Sequence, residues 1–315
     1  MTEKITTSSA FIDMGHDVIA LILDYVTRKT TEQLAPYRSV CTDFGNAMNL
    51  YAEQMSTNFK VRRRSLHIFK KVANQFPKPT YFFQFVMESI TVVIKNLDED
   101  IPDMIQRVEF GDDFNEEIKP NVLPDKLHEL IMGRFFNEEI KPNVLPDNIR
   151  TLKLGRNFNK EIKVNVLPNA LRTLILGRNF DQEIKPNTLP DNLHTLNFGS
   201  NFNKEISANT LRANLYSLEF GFCFNKEIKP SVLPDNLHTL VFGWKFDKDI
   251  QPKLLPANLH TLKLGMCFSQ KIKYSDFPAS LRILECAENA KDSLLGKDDV
   301  PQNLTIKTYE VIDFM

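Results

Sequence analysis

Leu127 to Leu145 reads LHELIMGRFFNEEIKPNVL, and the chain repeats this stretch with a constant period of 22 residues. Sliding by that step aligns Gly111, Gly133, Gly155, Gly177, Gly199, Gly221, Gly243 and Gly265, eight of the chain's eleven glycines. Three residues on, a phenylalanine column runs unbroken from Phe114 to Phe268, and four further on an isoleucine column runs from Ile118 to Ile272. Leu-Pro closes most units, as at Leu123-Pro124 and Leu233-Pro234. One such unit cannot bury its own apolar face and must stack on its neighbours, so the repeat predicts a solenoid.

The spacing within a unit predicts its physics. Leu130 and Met132 alternate with Glu129 and Ile131, which reads as a short strand with two side chains turned into the core and the others outward. Gly133 is read as the end of that strand, at a bend that a Cβ would hinder. Phe136 and Ile140 are expected on the far wall and Leu145 at the closure. Pro146 and Asp147 suit positions i+1 and i+2 of a turn into the next strand. Stacked units then pair their strands in parallel.

Composition narrows the class. The 315 residues are 42% hydrophobic and 25% charged, with a formal net charge of -1, so no global pull toward nucleic acid or membrane is expected. The four cysteines (Cys41, Cys223, Cys267, Cys286) show no metal spacing and read as reduced intracellular thiols. MTEKITTSSAF lacks the apolar run of a secretion signal. The chain is therefore expected in the cytoplasm or the nucleus. No phosphate loop, GxSxG or HExxH occurs, and no enzyme activity, metal or cofactor is assigned.

Ahead of the repeats, residues 1–9 read as a flexible tail and residues 10–55 as three short helices. Val18, Ile19, Ile22, Leu23 and Val26 have the spacing of one amphipathic face, and Ser39 is a good N-cap before Val40 and Phe44. Residues 56–100 read as a linker and N-terminal cap, residues 101–288 as about eight repeat units, and residues 289–315 as a C-terminal cap. Within the linker, the basic run Val61 to Lys71 reads either as a solvated helix face or as a nuclear-import or phosphate patch. The expected fold class is α+β: a small three-helix module followed by a leucine-rich-repeat-like solenoid with a parallel β-sheet.

The segment MGHDVIALILDYV, followed by SVCTDFGNAM, resembles an F-box, although Met14-Gly15 stands where Leu-Pro is usual and Phe44 replaces the commoner Trp. The repeats resemble the FNIP repeat, a relative of the leucine-rich repeat, through Phe114-Asn115, Phe158-Asn159 and Phe224-Asn225, each with Ile four residues after the Phe. Together they resemble the F-box and FNIP-repeat proteins of amoebae and their giant viruses. The resemblance implies the substrate-recognition subunit of a Skp-cullin-F-box ubiquitin ligase, without catalytic residues of its own, acting in a host cell's cytoplasm if the chain is viral. Val18, Ile19, Ile22, Leu23, Val26, Val40 and Phe44 would then bind a Skp-type adaptor, and through it a cullin, while the repeats hold a target protein. The alternative is a protein-binding repeat scaffold or decoy, its helices a simple cap, with no ligase link.

Recognition is expected where the repeats vary. Outward on the strands stand Glu109, Ile131, Lys153, Ile175, Asn197, Glu219, Val241 and Lys263; just after each glycine the series is Asp112, Arg134, Arg156, Arg178, Ser200, Phe222, Trp244 and Met266. Arg134, Arg156 and Arg178, reinforced by Arg150 and Arg172, form an arginine stripe. Phe222, Trp244 and Met266, beside Val241, form an apolar patch. Both are candidate target-binding surfaces, for a ligand with an acidic segment next to a hydrophobic one; the alternatives are a solvated edge and side chains folded back on the solenoid wall. Glu117, Glu139, Glu161 and their successors, with lysines two further on, read as a solvated ladder flanking a buried Ile. His128, His194, His238 and His260 read as another repeat column with no third ligand for a metal.

Overall fold

The computed structural model describes residues 59–62, 90–97, 101, 103, 105–288 and 301–309. Their strands are β1 (Phe59–Arg62), β2 (Ile90–Ile94), β3 (Arg107–Phe110), β4 (Glu129–Ile131), β5 (Thr151–Lys153), β6 (Thr173–Ile175), β7 (Thr195–Asn197), β8 (Ser217–Glu219), β9 (Thr239–Val241), β10 (Thr261–Lys263), β11 (Ile283–Ala287) and β12 (Thr305–Tyr309). They form one sheet in chain order, every pair parallel. From β3 to β11 the register equals the sequence period, so Leu130 faces Leu152 and Leu152 faces Leu174. A one-residue slip would turn each central leucine to water, and this pins the register.

Three turns return the chain from one strand to the next. The Phe136 N–H donates to the Gly133 carbonyl at 3.2 Å, Val144 N–H to Lys141 at 3.3 Å, and Ile149 N–H to Pro146 at 3.2 Å. Pro146 thus sits at position i, one place earlier in its turn than expected. The middle turn is the one the sequence reading missed: Pro142 holds i+1 and Asn143 holds i+2 with φ 62°, the signature of a type II turn. Asn121, Asn165, Asn187 and Asn209 repeat that positive φ, which asparagine tolerates.

The expectation of an α+β chain is overturned. The described elements are the twelve parallel strands and a single 3-10 turn at Tyr274–Asp276. Parallel strands are commonly joined through a helix, but here one or two prolines and a residue of left-handed φ, an asparagine on five rungs and Ser231 and Lys253 on two others, break most return paths into turns. The three-helix module expected for residues 10–55, with Val18, Ile19, Ile22, Leu23, Val26, Val40 and Phe44, lies outside the described residues.

Glycine proves necessary for a different reason than expected. None of the eight column glycines has a left-handed φ. Instead, a Cβ built on Gly177 would fall on the carbonyl oxygen of Gly155, one on Gly155 would fall on that of Gly133, and the clash recurs at each rung up to Gly265. Backbones of successive rungs touch there, and no side chain fits between them. Gly111, at the start of the column, is the exception: its Cβ would meet only ordinary contacts, the closest being the Ile94 oxygen at 3.5 Å.

Inside, each rung contributes its central leucine, its phenylalanine and its isoleucine, as Leu174, Phe180 and Ile184 do with at most 3% exposure. The phenylalanines stack along the axis with centroids 5.9 to 6.2 Å apart, and Phe198, Phe220 and Phe242 form a second ladder against them at 3.8 to 4.0 Å. Such offset stacks add to the area term. The asparagine or aspartate after most of the phenylalanines ties each rung to the next. Asn137 Oδ1 accepts the Asn159 N–H at 2.9 Å, Asn159 Oδ1 the Asp181 N–H, and Asp181 Oδ1 the Asn203 N–H. A second ladder runs from Asn148 Nδ2 to the Asp125 carbonyl and from Asn192 Nδ2 to that of Asn169, both 2.9 Å.

The charged ladder is also settled between rungs. Lys141 Nζ lies 2.6 Å from Glu117, Lys163 the same from Glu139 and Lys185 the same from Glu161. Each lysine reaches back to the previous rung's carboxylate, so a column of like charges becomes a row of diagonal pairs. Those partners hold the Glu139 and Glu161 carboxyls below their ordinary range, and their position at the solvent-facing surface keeps the pairs weak.

Two stability outcomes follow. Gly177→Ala should lower unfolding stability by at least about 3 kcal/mol in thermal melts, since two backbones must part, whereas Gly111→Ala should be close to neutral. Thr188 is buried, with its hydroxyl unpartnered, where other rungs carry Val144, Val166 or Val232. Thr188→Val should therefore raise stability by about 1 kcal/mol.

Candidate functional site

The two variable columns face each other across a trough. The strand-outward column passes through Asn197, Glu219, Val241 and Lys263, which adjoin in register. The post-glycine column passes through Arg178, Ser200, Phe222, Trp244 and Met266. Between them lie Gly199, Gly221, Gly243 and Gly265, and because glycines carry no side chain the trough is open down to backbone. The resulting groove encloses about 570 Å³ and is lined by both columns. The glycine column therefore has two effects: rungs stack closely through it, and a furrow runs along it.

The apolar side of the groove is an aromatic shelf. Phe222 is 45% exposed and stacks on Trp244 with centroids 5.6 Å apart. Lys245 Nζ stands 5.6 Å from the Phe222 centroid, a cation over its ring. Trp244 and Val241 are half-buried. Met266 packs against the core, so the folded-back alternative applies to it in part. All four line the groove together.

The polar side mixes charges. Asn197 Nδ2 donates to Glu219 at 2.6 Å. Lys263 lies 3.6 Å from Glu285, which Lys307 also approaches at 3.9 Å. At the C-terminal end Tyr309, from β12, reaches back to donate its hydroxyl to the Leu264 carbonyl, and Lys263 Nζ stands 5.4 Å from its ring. Burial pushes the Tyr309 phenol up to about 12, with Cys286 and Glu285 adding to the effect. Tyr309 closes the groove at that end and was not among the sequence candidates. It falls after the repeat pattern fades, where no column marks it.

Of the arginines, Arg178 lines the groove, while Arg134 and Arg156 are exposed on the two rungs before it. None of the three has an ion pair among the described residues; Arg134 instead lies over the ring of Phe135, 5.3 Å from its centroid. Arg150 and Arg172 do not reinforce the stripe. They stand at the entry to the strands, in the column of His128, His194, His238 and His260, whereas Arg134, Arg156 and Arg178 stand beyond the strand exits. Ser200, Asn197, Glu219 and Lys263, not singled out as binding residues from the sequence, belong to the groove because they share the columns of those that were. No group of three or more His, Cys, Asp or Glu among the described residues could hold a metal, and no helix among them is long and apolar enough to cross a membrane.

Comparison with known proteins agrees with this architecture. The FNIP Repeat family matches residues 95–135, 136–179, 180–223 and 224–267, together more than half of the chain, and each match spans two coils. Among solved structures, the chain is similar to the crystal structure of CroV588, described as a novel circular LRR protein, with 34% identity and a TM-score of 0.64 over 70% of this chain. The match covers 37% of that protein, so the chain spans little more than a third of its length. No curated protein matches.

At the strand entries, Tyr216, His238 and His260 stack with successive centroids 4.6 Å apart. Burial, then the charge of His260, pushes the His238 imidazole below its ordinary range. A histidine with a lowered folded pKa stabilises the fold in its neutral form. That contribution is present above the unfolded value near 6.5 and is lost as pH falls through it toward the folded value. Melting temperature should therefore decline between pH 7 and pH 5.5, and less in His238→Tyr, which continues the Tyr216 stack without a titrating group.

Proposed function

The chain belongs to the FNIP-repeat family, and from that premise we propose that it is a non-catalytic protein-binding scaffold whose binding site is the glycine-floored groove. Supporting this is the division of labour in the repeat: every invariant column is consumed by stacking, while the two columns free to vary line one continuous furrow with an exposed aromatic shelf. Exposed aromatic side chains clustered in a concave site are the usual anchors of protein recognition. The groove holds no nucleophile set beside a base, so its chemistry is that of holding a partner.

The ubiquitin-ligase link is a finer proposal. It rests on the F-box resemblance of residues 10–55, outside the described residues, and would make a Skp-type adaptor and a cullin the other partners. The scaffold reading stands without it, since it draws only on the repeats.

Trp244, the chain's only tryptophan, sits in the groove and reports its occupancy. Random linear peptides displayed on phage and selected on the full chain should yield binders that change Trp244 emission. Phe222→Ala should weaken them by about 1–2 kcal/mol, roughly tenfold. Binders that leave the emission untouched, or no binders at all, would place recognition elsewhere.

A further inference from the structure

The post-glycine column is filled by large side chains on six of its rungs from Arg134 onward, and by one small one. Ser200 stands between Arg178 and Phe222. With rungs about 4.8 Å apart, the guanidinium rung and the phenyl rung are separated by roughly 9.6 Å with only a hydroxymethyl between them. That gap is the width of one planar ring with a stacking contact on either side. Phe222 is among the most exposed large hydrophobic residues described. Across the trough stand Asn197 and Glu219, joined to each other.

Beyond the notch, toward the first repeats, the charge pattern changes. Glu117, Glu139 and Glu161 of the carboxylate column are each met by a lysine of the next rung, and on the sheet Glu129 is met by Arg107 at 3.8 Å and Lys153 at 2.8 Å. Arg134, Arg156 and Arg178 are left on three successive rungs with no carboxylate paired to them. Like charges one rung apart repel, and the solenoid relieves this elsewhere by diagonal pairing. Asp112, whose carboxylate accepts the Arg134 backbone N–H at 3.3 Å, ends the stripe on the first rung, and no carboxylate of the column stands beside Arg156 or Arg178, so an external anion brings the same relief there.

From this juxtaposition we propose, building on the scaffold reading, that the groove takes an acidic linear peptide: an aromatic side chain enters the Ser200 notch between Arg178 and Phe222, and carboxylates on one side of it lie along Arg178, Arg156 and Arg134. The ring gains a cation–π contact on one face and an aromatic contact on the other. Carboxylates suit the guanidinium forks through paired N–H bonds. Glu219 in the wall disfavours a second negative charge there, which sets the acidic stretch on the arginine side of the anchor only. A peptide is favoured over single-stranded nucleic acid because Phe222 and Trp244 already stack on each other, leaving one notch rather than a row of base platforms.

The test reads the composition of the displayed peptides. Pools selected on the full chain should be enriched in one aromatic residue with Asp or Glu on one side of it. Their binding should fall at least tenfold on Ser200→Trp, which fills the notch, and at least tenfold on Arg156→Glu with Arg178→Glu. Thermal melts of both variants should match that of the parent chain, and the affinity of the selected peptides should fall as salt rises. Groove-dependent pools of neutral or basic composition would overturn the acidic-peptide proposal and leave the scaffold reading intact. Pools indifferent to Phe222→Ala, or no pools, would overturn both. Displacement of an acidic pool by a 12-residue oligothymidylate with higher affinity, and with the same dependence on the arginines, would assign the groove to nucleic acid instead.

Discussion

Contact between the backbones of successive rungs at the glycine column is the constraint on which the rest of this molecule depends. At Gly155 and Gly177 the chain comes so near the preceding rung that a single methyl group would occupy the position of a carbonyl oxygen. Close approach on that side aligns the strands for parallel pairing and brings each phenylalanine into stacking range of the next. A solenoid is a one-dimensional assembly in which every rung has only two neighbours. A defect at one rung therefore weakens both of its junctions.

Side chains between rungs satisfy the polar groups that this stacking leaves. Asn137, Asn159 and Asp181 each accept the backbone N–H one rung ahead, and Asn148 and Asn192 each reach a carbonyl one rung behind. This explains why asparagine or aspartate, and not a longer amide, follows the phenylalanine: the acceptor must reach across one rung spacing and no further. The same logic sets Lys141, Lys163 and Lys185 diagonally against Glu117, Glu139 and Glu161 of the rung before. Stability is thus spread over many small, repeated terms, with the buried leucine, phenylalanine and isoleucine columns supplying the dominant one.

Function falls to what stacking does not use. The strand-outward and post-glycine positions change from rung to rung, and the glycines between them leave a furrow that neither column fills. Phe222 can stay exposed and Trp244 half-buried because the sheet beneath them is already closed by Phe220 and Phe242. Tyr309 bounds the furrow by reaching back from the last strand, so the end of the solenoid shapes the site built by its middle.

The period of 22, the identity of the core columns, the alternation of Leu130 and Met132 with Glu129 and Ile131, and the two columns left free to vary were all determined by the sequence, because a repeat prints its own stacking pattern in its spacing. Fold class was not: helices read at residues 10–55 set the α+β expectation, while the strands of the described chain are all parallel and its one helical element is the 3-10 turn at Tyr274–Asp276. Nor did spacing show why glycine is required, since a turn and a rung contact demand the same residue and only coordinates distinguish them. The type II turn at Asn143 was missed because its Pro-Asn pair sat beside the more conspicuous Leu-Pro. Which residues meet across the trough, which arginines join the groove and which stand at the far ends of the strands, and that Tyr309 closes it, were decided by tertiary structure alone. Neighbours along the axis are separated by a full period in sequence, and the last strand lies beyond the point where the pattern survives.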